Sequence, residues 1–248
     1  MITHQTYLTN QAHQASLSRL EILLARLKKF YGALPFPPSD PFILFVWEVL
    51  SVHSTPHKRD AALGALKRLR VLTPDAMWRA PQKKLEESVG LAGPYLEQRL
   101  VRLRTGVDLF RRTPALPSII KGPLPAARRA LKPFPTLGEG GAHRMLLFAA
   151  DHPVLPVDAR VSRVARRLGY GEAHADFKKT SRSVQAAIEP ELSATTTVYR
   201  RAYLYLSHHG AATCTEADPH CGVCPLLDDC PEGKRRTADS RGAINSRG

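Results

Sequence analysis

A chain of 248 residues with 43% hydrophobic content can bury a sizeable core, which excludes a wholly disordered protein. Its 36 Lys and Arg outnumber 22 Asp and Glu for a formal charge of +14; residues 234–248 hold five basic and one acidic residue, leaving +10 on the body. Such a surface suits a polyanion, above all a phosphate backbone, with a merely well-solvated basic surface as the plain alternative.

The N-terminus carries no charged-then-apolar signal pattern, and the longest apolar run, 41–50, is interrupted by Glu48 and too short to span a bilayer. The expectation is a cytosolic chain with no membrane partner. Leu17, Leu20, Leu24, Leu27 and Tyr31 recur at helical spacing, and a Pro-rich stretch, 34–41, then separates that helix from an apolar one over 42–52. Further helices are predicted over 61–72, 81–89, 95–110, 126–131 and 142–150, with a Pro-rich loop at 113–125. Val161, Val164, Ala165 and Leu168 form the apolar face of another helix, opposite Arg160, Arg163, Arg166 and Arg167, with Asp158 at its start and Gly169 at its end. Helices over 176–188 and 196–208 complete the series, no alternating strand pattern is present, and the composition after Pro231 reads as a disordered basic tail.

Two local patterns bear on chemistry before the cysteines are reached. In Leu124-Pro125-Ala-Ala-Arg128-Arg-Ala-Leu131-Lys-Pro-Phe134-Pro135-Thr136-Leu137-Gly138-Glu-Gly140-Gly141-Ala142, Pro125 fits the first turn of a helix, and Pro133 and Pro135 end it. A Gly-rich turn then opens a second helix with free backbone N–H groups. Such donors bind a phosphate without reading sequence, although the same pattern also serves as a tight turn between core helices. Asp158, in Val157-Asp158-Ala159-Arg160-Val161-Ser162-Arg163-Val164, is a carboxylate at a helix start; a cap is its simplest role.

All four cysteines, Cys214, Cys221, Cys224 and Cys230, fall in one segment spaced Cys-x6-Cys-x2-Cys-x5-Cys. In a reducing compartment they read as ligands rather than disulfides. Structural zinc sites pair two short Cys-x2–4-Cys knuckles, of which only Cys221 and Cys224 make one, whereas four thiolates on a wrapping loop suit a [4Fe–4S] cluster.

With that spacing, the hairpin and the Val-Asp block in the same order, the chain resembles the endonuclease III-like helix–hairpin–helix DNA glycosylases over about 42–231. The resemblance implies an all-α, two-lobed helix–hairpin–helix DNA glycosylase fold. A six-helix lobe would span 39–150, an iron–sulfur cluster lobe 1–38 and 151–233, and a disordered basic tail 234–248. It implies a [4Fe–4S] cofactor on the four cysteines and, as partner, double-stranded DNA containing a damaged base, bound by a monomer associated with the nucleoid. Asp158 would be the catalytic carboxylate, stabilising an oxocarbenium-like sugar and orienting water. The hairpin backbone at Leu137, Gly138, Gly140 and Gly141, with Arg160 and Arg163, would hold DNA. His53 and Leu91 would be wedges that fill the gap left by a flipped base, with a partly buried His and a core Leu as their bland readings.

The chain departs from the family pattern at three places. The lysine that attacks the sugar in strand-cutting members is replaced by Gly140, and no lysine lies between Lys132 and Lys178, so the expected enzyme uses water and has little or no lyase activity. Thr136 replaces the hairpin's first glycine, and an acidic run, Thr215-Glu216-Ala217-Asp218-Pro219-His220, stands where relatives present basic residues. The arginines of the Asp158 helix, with Lys178, Lys179 and Arg182, would take over part of that contact. In the adenine-specific branch a catalytic Glu is expected on the helix at 42–52; our register places Trp47 there, which disfavours that branch. The leading expectation is a monofunctional glycosylase for an oxidised pyrimidine or an alkylated purine. The alternative is a catalytically weak or inactive damaged-DNA-binding protein on the same scaffold.

Overall fold

The computed structural model describes residues 17–245, with side chains through 238; expectations for 1–16 and 246–248 lie outside the described residues. The fold is all-α, with no strand among the described residues. The chain forms two compact units.

The first unit spans Leu34–Val161 and Ala194–Leu204. Its helices are α2 (Pro41–Ser51), α3 (Pro56–Arg68), α4 (Pro74–Arg79), α5 (Gln82–Gly90), α6 (Leu96–Arg112), α7 (Leu116–Lys121), α8 (Leu124–Leu131) and α9 (Glu139–Ala149). Proline placement sets several of the starts: Asp40, Thr55 and Thr73 each accept a backbone N–H three residues on, just before a Pro at the first helical turn. Thus α3 begins at Pro56 rather than at 61, and α4 forms where no helix was expected. A further correction is α7, which occupies the middle of the predicted Pro-rich loop because Pro117 is tolerated in its first turn.

α2 is apolar on almost every face, with Leu44, Phe45, Val46, Val49 and Leu50 at zero exposure, so it sits in the middle of its unit. Phe134 packs edge-on against both Phe45 and Phe110, which are tilted to one another, with centroids 5.0–5.8 Å apart and each burial contributing roughly 2–3 kcal/mol. The close approach of α2 and α6 needs Gly106, where an added Cβ would stand 1.9 Å from the Phe45 ring. The unit is wider than the expected 39–150: it takes in Asp158 and recruits 194–204, whose Arg200 donates to the Leu147 carbonyl (3.0 Å) and pairs with Asp151 (2.6 Å).

The second unit holds α1 (Arg19–Tyr31), Ser162–Ser193 and the chain from Tyr205. α1 starts at a capping box in which Ser18 and Glu21 satisfy each other's backbone N–H groups, and it buries Leu20, Leu23, Leu24 and Leu27. Ser18 Oγ donates to the Glu191 carbonyl (2.6 Å), while the Glu191 carboxylate accepts from Leu20 N (2.7 Å) and Tyr170 Oη (2.9 Å). Its other helical segments are α10 (Ala159–Arg167) from Ser162 on, α11 (Phe177–Ile188) and α12 (Thr196–Ala212) from Tyr205 on.

The predicted disordered tail is corrected over most of its length by α13 (Pro231–Asn245). Pro231 occupies its first turn, and Glu232 bonds Arg235 (3.0 Å) and Arg236 (2.7 Å), i,i+3 and i,i+4 pairs that help a basic segment hold a helix.

Candidate active site and metal centre

The hairpin is α8, residues 132–138 and α9. Gly138 is the N-cap of α9 and offers no side chain to its first-turn amides, as a backbone anion site requires. Thr136 takes the left-handed conformation (φ +68°) that its glycine counterpart would adopt without strain. Of the four backbone positions expected at DNA, Gly138 is exposed and Gly140 half-buried. The Leu137 side chain is buried, and Gly141 packs against it, with a Cβ there 3.2 Å from Leu137 Cδ2.

The two carboxylate oxygens of Asp158 have different partners. Oδ1 caps α10, accepting from the Arg160 and Val161 amides at 3.0 Å each. Oδ2 faces the other way, accepting from Tyr203 Oη (3.3 Å) and standing 3.6 Å from Arg144 Nη1. Arg144 reaches there because side chains on a helix lean toward its N-terminus and Gly140, one turn earlier, has none; a Cβ at Gly140 would lie 3.8 Å from Nη1 and 3.3 Å from the Val157 carbonyl. The rest of the guanidinium is held by Glu48, Nε to Oε1 at 2.5 Å and Nη2 to Oε2 at 2.6 Å. Burial works against the Arg144 charge, but Tyr203, Glu48 and Asp158 outweigh it and keep the guanidinium protonated.

Glu48 was missed as a site residue. It is 4% exposed and reaches Asp158 through Arg144, whereas Trp47 stacks under Arg59 (4.4 Å), so our one-residue register is corrected. A lone carboxylate in an apolar helix is itself a signal, because it can be buried only against a partner.

Both wedge candidates are exposed, which sets aside the bland readings of a partly buried His and a core Leu: His53 sits at φ +49° and Leu91 is 47% exposed. Tyr95 joins them unpredicted, 54% exposed at φ +66°, its ring 5.1 Å from that of His53. Arg99, fully buried, ties the two loops by donating to the carbonyls of Val52 (2.7 Å), Gly93 (2.9 Å) and Pro94. Its pKa is lowered by burial and by Arg102.

Arg160 is exposed as expected of a DNA contact, but Arg163 is not free for that role. Its guanidinium donates to the carbonyls of Cys214 (2.9 Å) and Gly210 (2.6 Å), the outward-facing acceptors where α12 ends. Arg167 adds bonds to Thr215 O (2.6 Å), Glu216 O (3.1 Å) and Cys214 Sγ (3.3 Å). Two arginines thus fasten the cysteine loop, and Glu216 lies 3.8 Å from Arg163, which gives one acid of that loop a local partner.

All four cysteines line one pocket, together with Arg167, His209 and Arg236. Leu226 N points at Cys224 Sγ (3.4 Å) and Gly233 N at Cys230 Sγ (3.3 Å), contacts that stabilise ligated thiolates. Burial pushes the Cys224 thiol up to about 11, so its deprotonation calls for a cationic occupant. Among the described residues no three His, Cys, Asp or Glu side chains converge on one point as a single ion requires. The same residues contain no helix long and apolar enough to cross a membrane.

No family model matches the chain. It is 26% identical over 207 residues to a chloroplastic endonuclease III homolog of Arabidopsis thaliana, covering 83% of this chain and 52% of that protein, so it spans about half that relative's length. It is 23% identical over 209 residues to endonuclease III of Bacillus subtilis, covering 83% and 87% respectively. A shorter match, 33% over 93 residues, links 38% of the chain to 30% of an adenine DNA glycosylase of Mycolicibacterium smegmatis. Among solved structures, a non-covalent endonuclease III–DNA complex superposes with a TM-score of 0.69 at 22% identity, covering 89% of this chain and 97% of that one. A thermostable thymine-DNA glycosylase gives 0.66 at 17%, covering 87% and 97%. The chain thus shares the helix–hairpin–helix DNA glycosylase fold of these structures over nearly their whole length, and it is similar in sequence to endonuclease III.

Proposed function

We propose that this protein is a base-excision glycosylase that hydrolyses the N-glycosidic bond of a damaged base in duplex DNA and stops at the abasic site. The observation that carries the reading is the divided carboxylate of Asp158: one oxygen is locked by two amides, and the other faces Arg144 Nη1, the same group that lies 3.8 Å from a Cβ built at Gly140. Fixed in that way, the carboxylate can stabilise a sugar cation and orient water without reorganising. Gly140 supplies no amine, and Arg144, which cannot lose its proton, cannot stand in as a nucleophile. The uncapped start of α9 would hold a phosphate, Arg160 would add charge, and His53, Leu91 and Tyr95 would occupy the space of the extruded base. Cys214, Cys221, Cys224 and Cys230 would hold a [4Fe–4S] cluster, which contributes fold stability to its unit. The reading places the protein in the cytoplasm on nucleoid DNA, as a monomer.

The test is base release from duplexes carrying one defined lesion each: oxidised pyrimidines, alkylated purines and, because Glu48 reaches the site, a mispaired adenine. Each sample is split into alkali-treated and untreated halves, with borohydride trapping alongside. Breaks only after alkali, reduced about 10²- to 10⁴-fold in Asp158→Asn, support the proposal. Tight binding without breaks on any lesion favours a non-catalytic damaged-DNA binder, a reading to which the Arg144–Asp158 contact lends weight by partly neutralising the carboxylate.

A further inference from the structure

We propose that Glu48 is a positioning residue that keeps Asp158 available by holding Arg144 away from it; the inference rests on Asp158 being the reactive carboxylate. Three charges lie in a row, Glu48, Arg144 and Asp158, and they share the guanidinium unequally. Glu48 takes Nε and Nη2 in a two-point contact at 2.5 and 2.6 Å, whereas Asp158 receives only Nη1 at 3.6 Å, beyond hydrogen-bonding distance. A planar fork engaged on one edge by a buried carboxylate cannot turn that edge to another. Glu48 is 4% exposed on α2, and its helix is packed on nearly every face, so it cannot follow Arg144 toward Asp158.

The charge arithmetic explains what this arrangement is for. Two carboxylates and one guanidinium leave the site with one net negative charge, and a cationic sugar at Asp158 Oδ2 balances it. Without the Glu48 charge, Arg144 and Asp158 would balance each other and a second cation would gain little. Tightening an ion contact from 3.6 Å to hydrogen-bonding distance, at an effective dielectric of about 20, is worth about a factor of ten, before the lost counter-charge is added.

The experiment is a double-mutant cycle in single-turnover base release, using Glu48→Gln, Arg144→Gln and the pair, with crystal structures of Glu48→Gln and of the wild type. Glu48→Gln should slow base release about tenfold or more where Arg144 is present, and by no more than about twofold where residue 144 is Gln. Its structure should show Arg144 moved into hydrogen-bonding contact with Asp158. Equal losses in both backgrounds would overturn the proposal, by showing that Glu48 acts on the substrate directly; so would an unmoved Arg144. If Glu48→Gln does not fold, Arg144→Gln against the pair carries the test, and a difference larger than about twofold refutes the inference. Should the wild type release no base from any lesion, the functional proposal fails by itself, and the position of Arg144 in Glu48→Gln still decides this one.

Discussion

Replacing Gly140 by lysine restores the amine that the hairpin lacks, and the surroundings of that position set what the amine would meet. A Cβ there is 3.3 Å from the Val157 carbonyl, which asks the backbone to give by a few tenths of an ångström, and 3.8 Å from Arg144 Nη1. The new ammonium would share its space with the guanidinium. Like charges about 4 Å apart at an effective dielectric of about 20 repel by about 4 kcal/mol, or about 3 pKa units, and the Asp158 carboxylate offsets part of that. A net lowering of about 1–2 units leaves roughly 1–10% of the amine unprotonated near neutral pH, enough for a slow nucleophile. The assay is borohydride trapping on a duplex with a preformed abasic site, which removes base recognition from the question. A covalent complex that accumulates with Gly140→Lys and not with the wild type is the expected result. Tight binding of that duplex with no trapped complex would refute the placement of residue 140 beside the sugar.

Three further outcomes follow from the packing. His143, held by burial and by Arg128 at a pKa of about 4, is neutral in the folded unit and charges more readily when unfolded. Stability is therefore present at neutral pH and falls as pH drops from about 6.5 to about 4, by about 3 kcal/mol; denaturant midpoints that do not move across that window would contradict this. Gly106→Ala places a Cβ 1.9 Å from the Phe45 ring, and overpacking against a core aromatic should cost about 2 kcal/mol despite alanine's better helix propensity, read as a lower urea midpoint. Thr136→Gly removes a β-branched residue from φ +68° and should raise stability by about 0.5–1 kcal/mol after the added chain entropy is counted; an unchanged midpoint would mean that Thr136 is unstrained.

The helices and the Asp158 cap were legible in the sequence because period, capping and proline placement act locally. The short helices α4 and α7 were not, since each is a single proline-started stretch of six residues, too brief for a period to show. In the candidate site, the carboxylate and hairpin could be read directly, but the partner of Asp158 could not: Arg144 and Glu48 are 96 residues apart and meet only through packing. Each is nevertheless a charge inside an apolar run, Glu48 among Phe45, Val46, Val49 and Leu50, and Arg144 before Met145, Leu146 and Leu147. Two such charges of opposite sign predict each other. The arginines of α10 show the reverse error: a polar face drawn from periodicity cannot separate Arg160, which is exposed, from Arg163 and Arg167, whose guanidinium groups are taken by the cysteine loop.

Gly140 and Arg144 are best understood as one feature. They lie four residues apart on α9, hence on one face, and the bare glycine leaves the lane along which the arginine folds back toward Asp158. A lysine at 140 would place a positive charge in the same region, so the two arrangements share a cation beside the carboxylate and differ in whether that cation can become a nucleophile. A guanidinium retains its proton and cannot form a Schiff base, so in the proposed function water is the attacking group. The arginine also brings a requirement the lysine would not: being always charged, it must be held off Asp158 by something fixed and negative. Glu48, buried at 2.5 Å from Nε, meets that requirement, so Gly140, Arg144 and Glu48 are expected to change function together rather than one at a time.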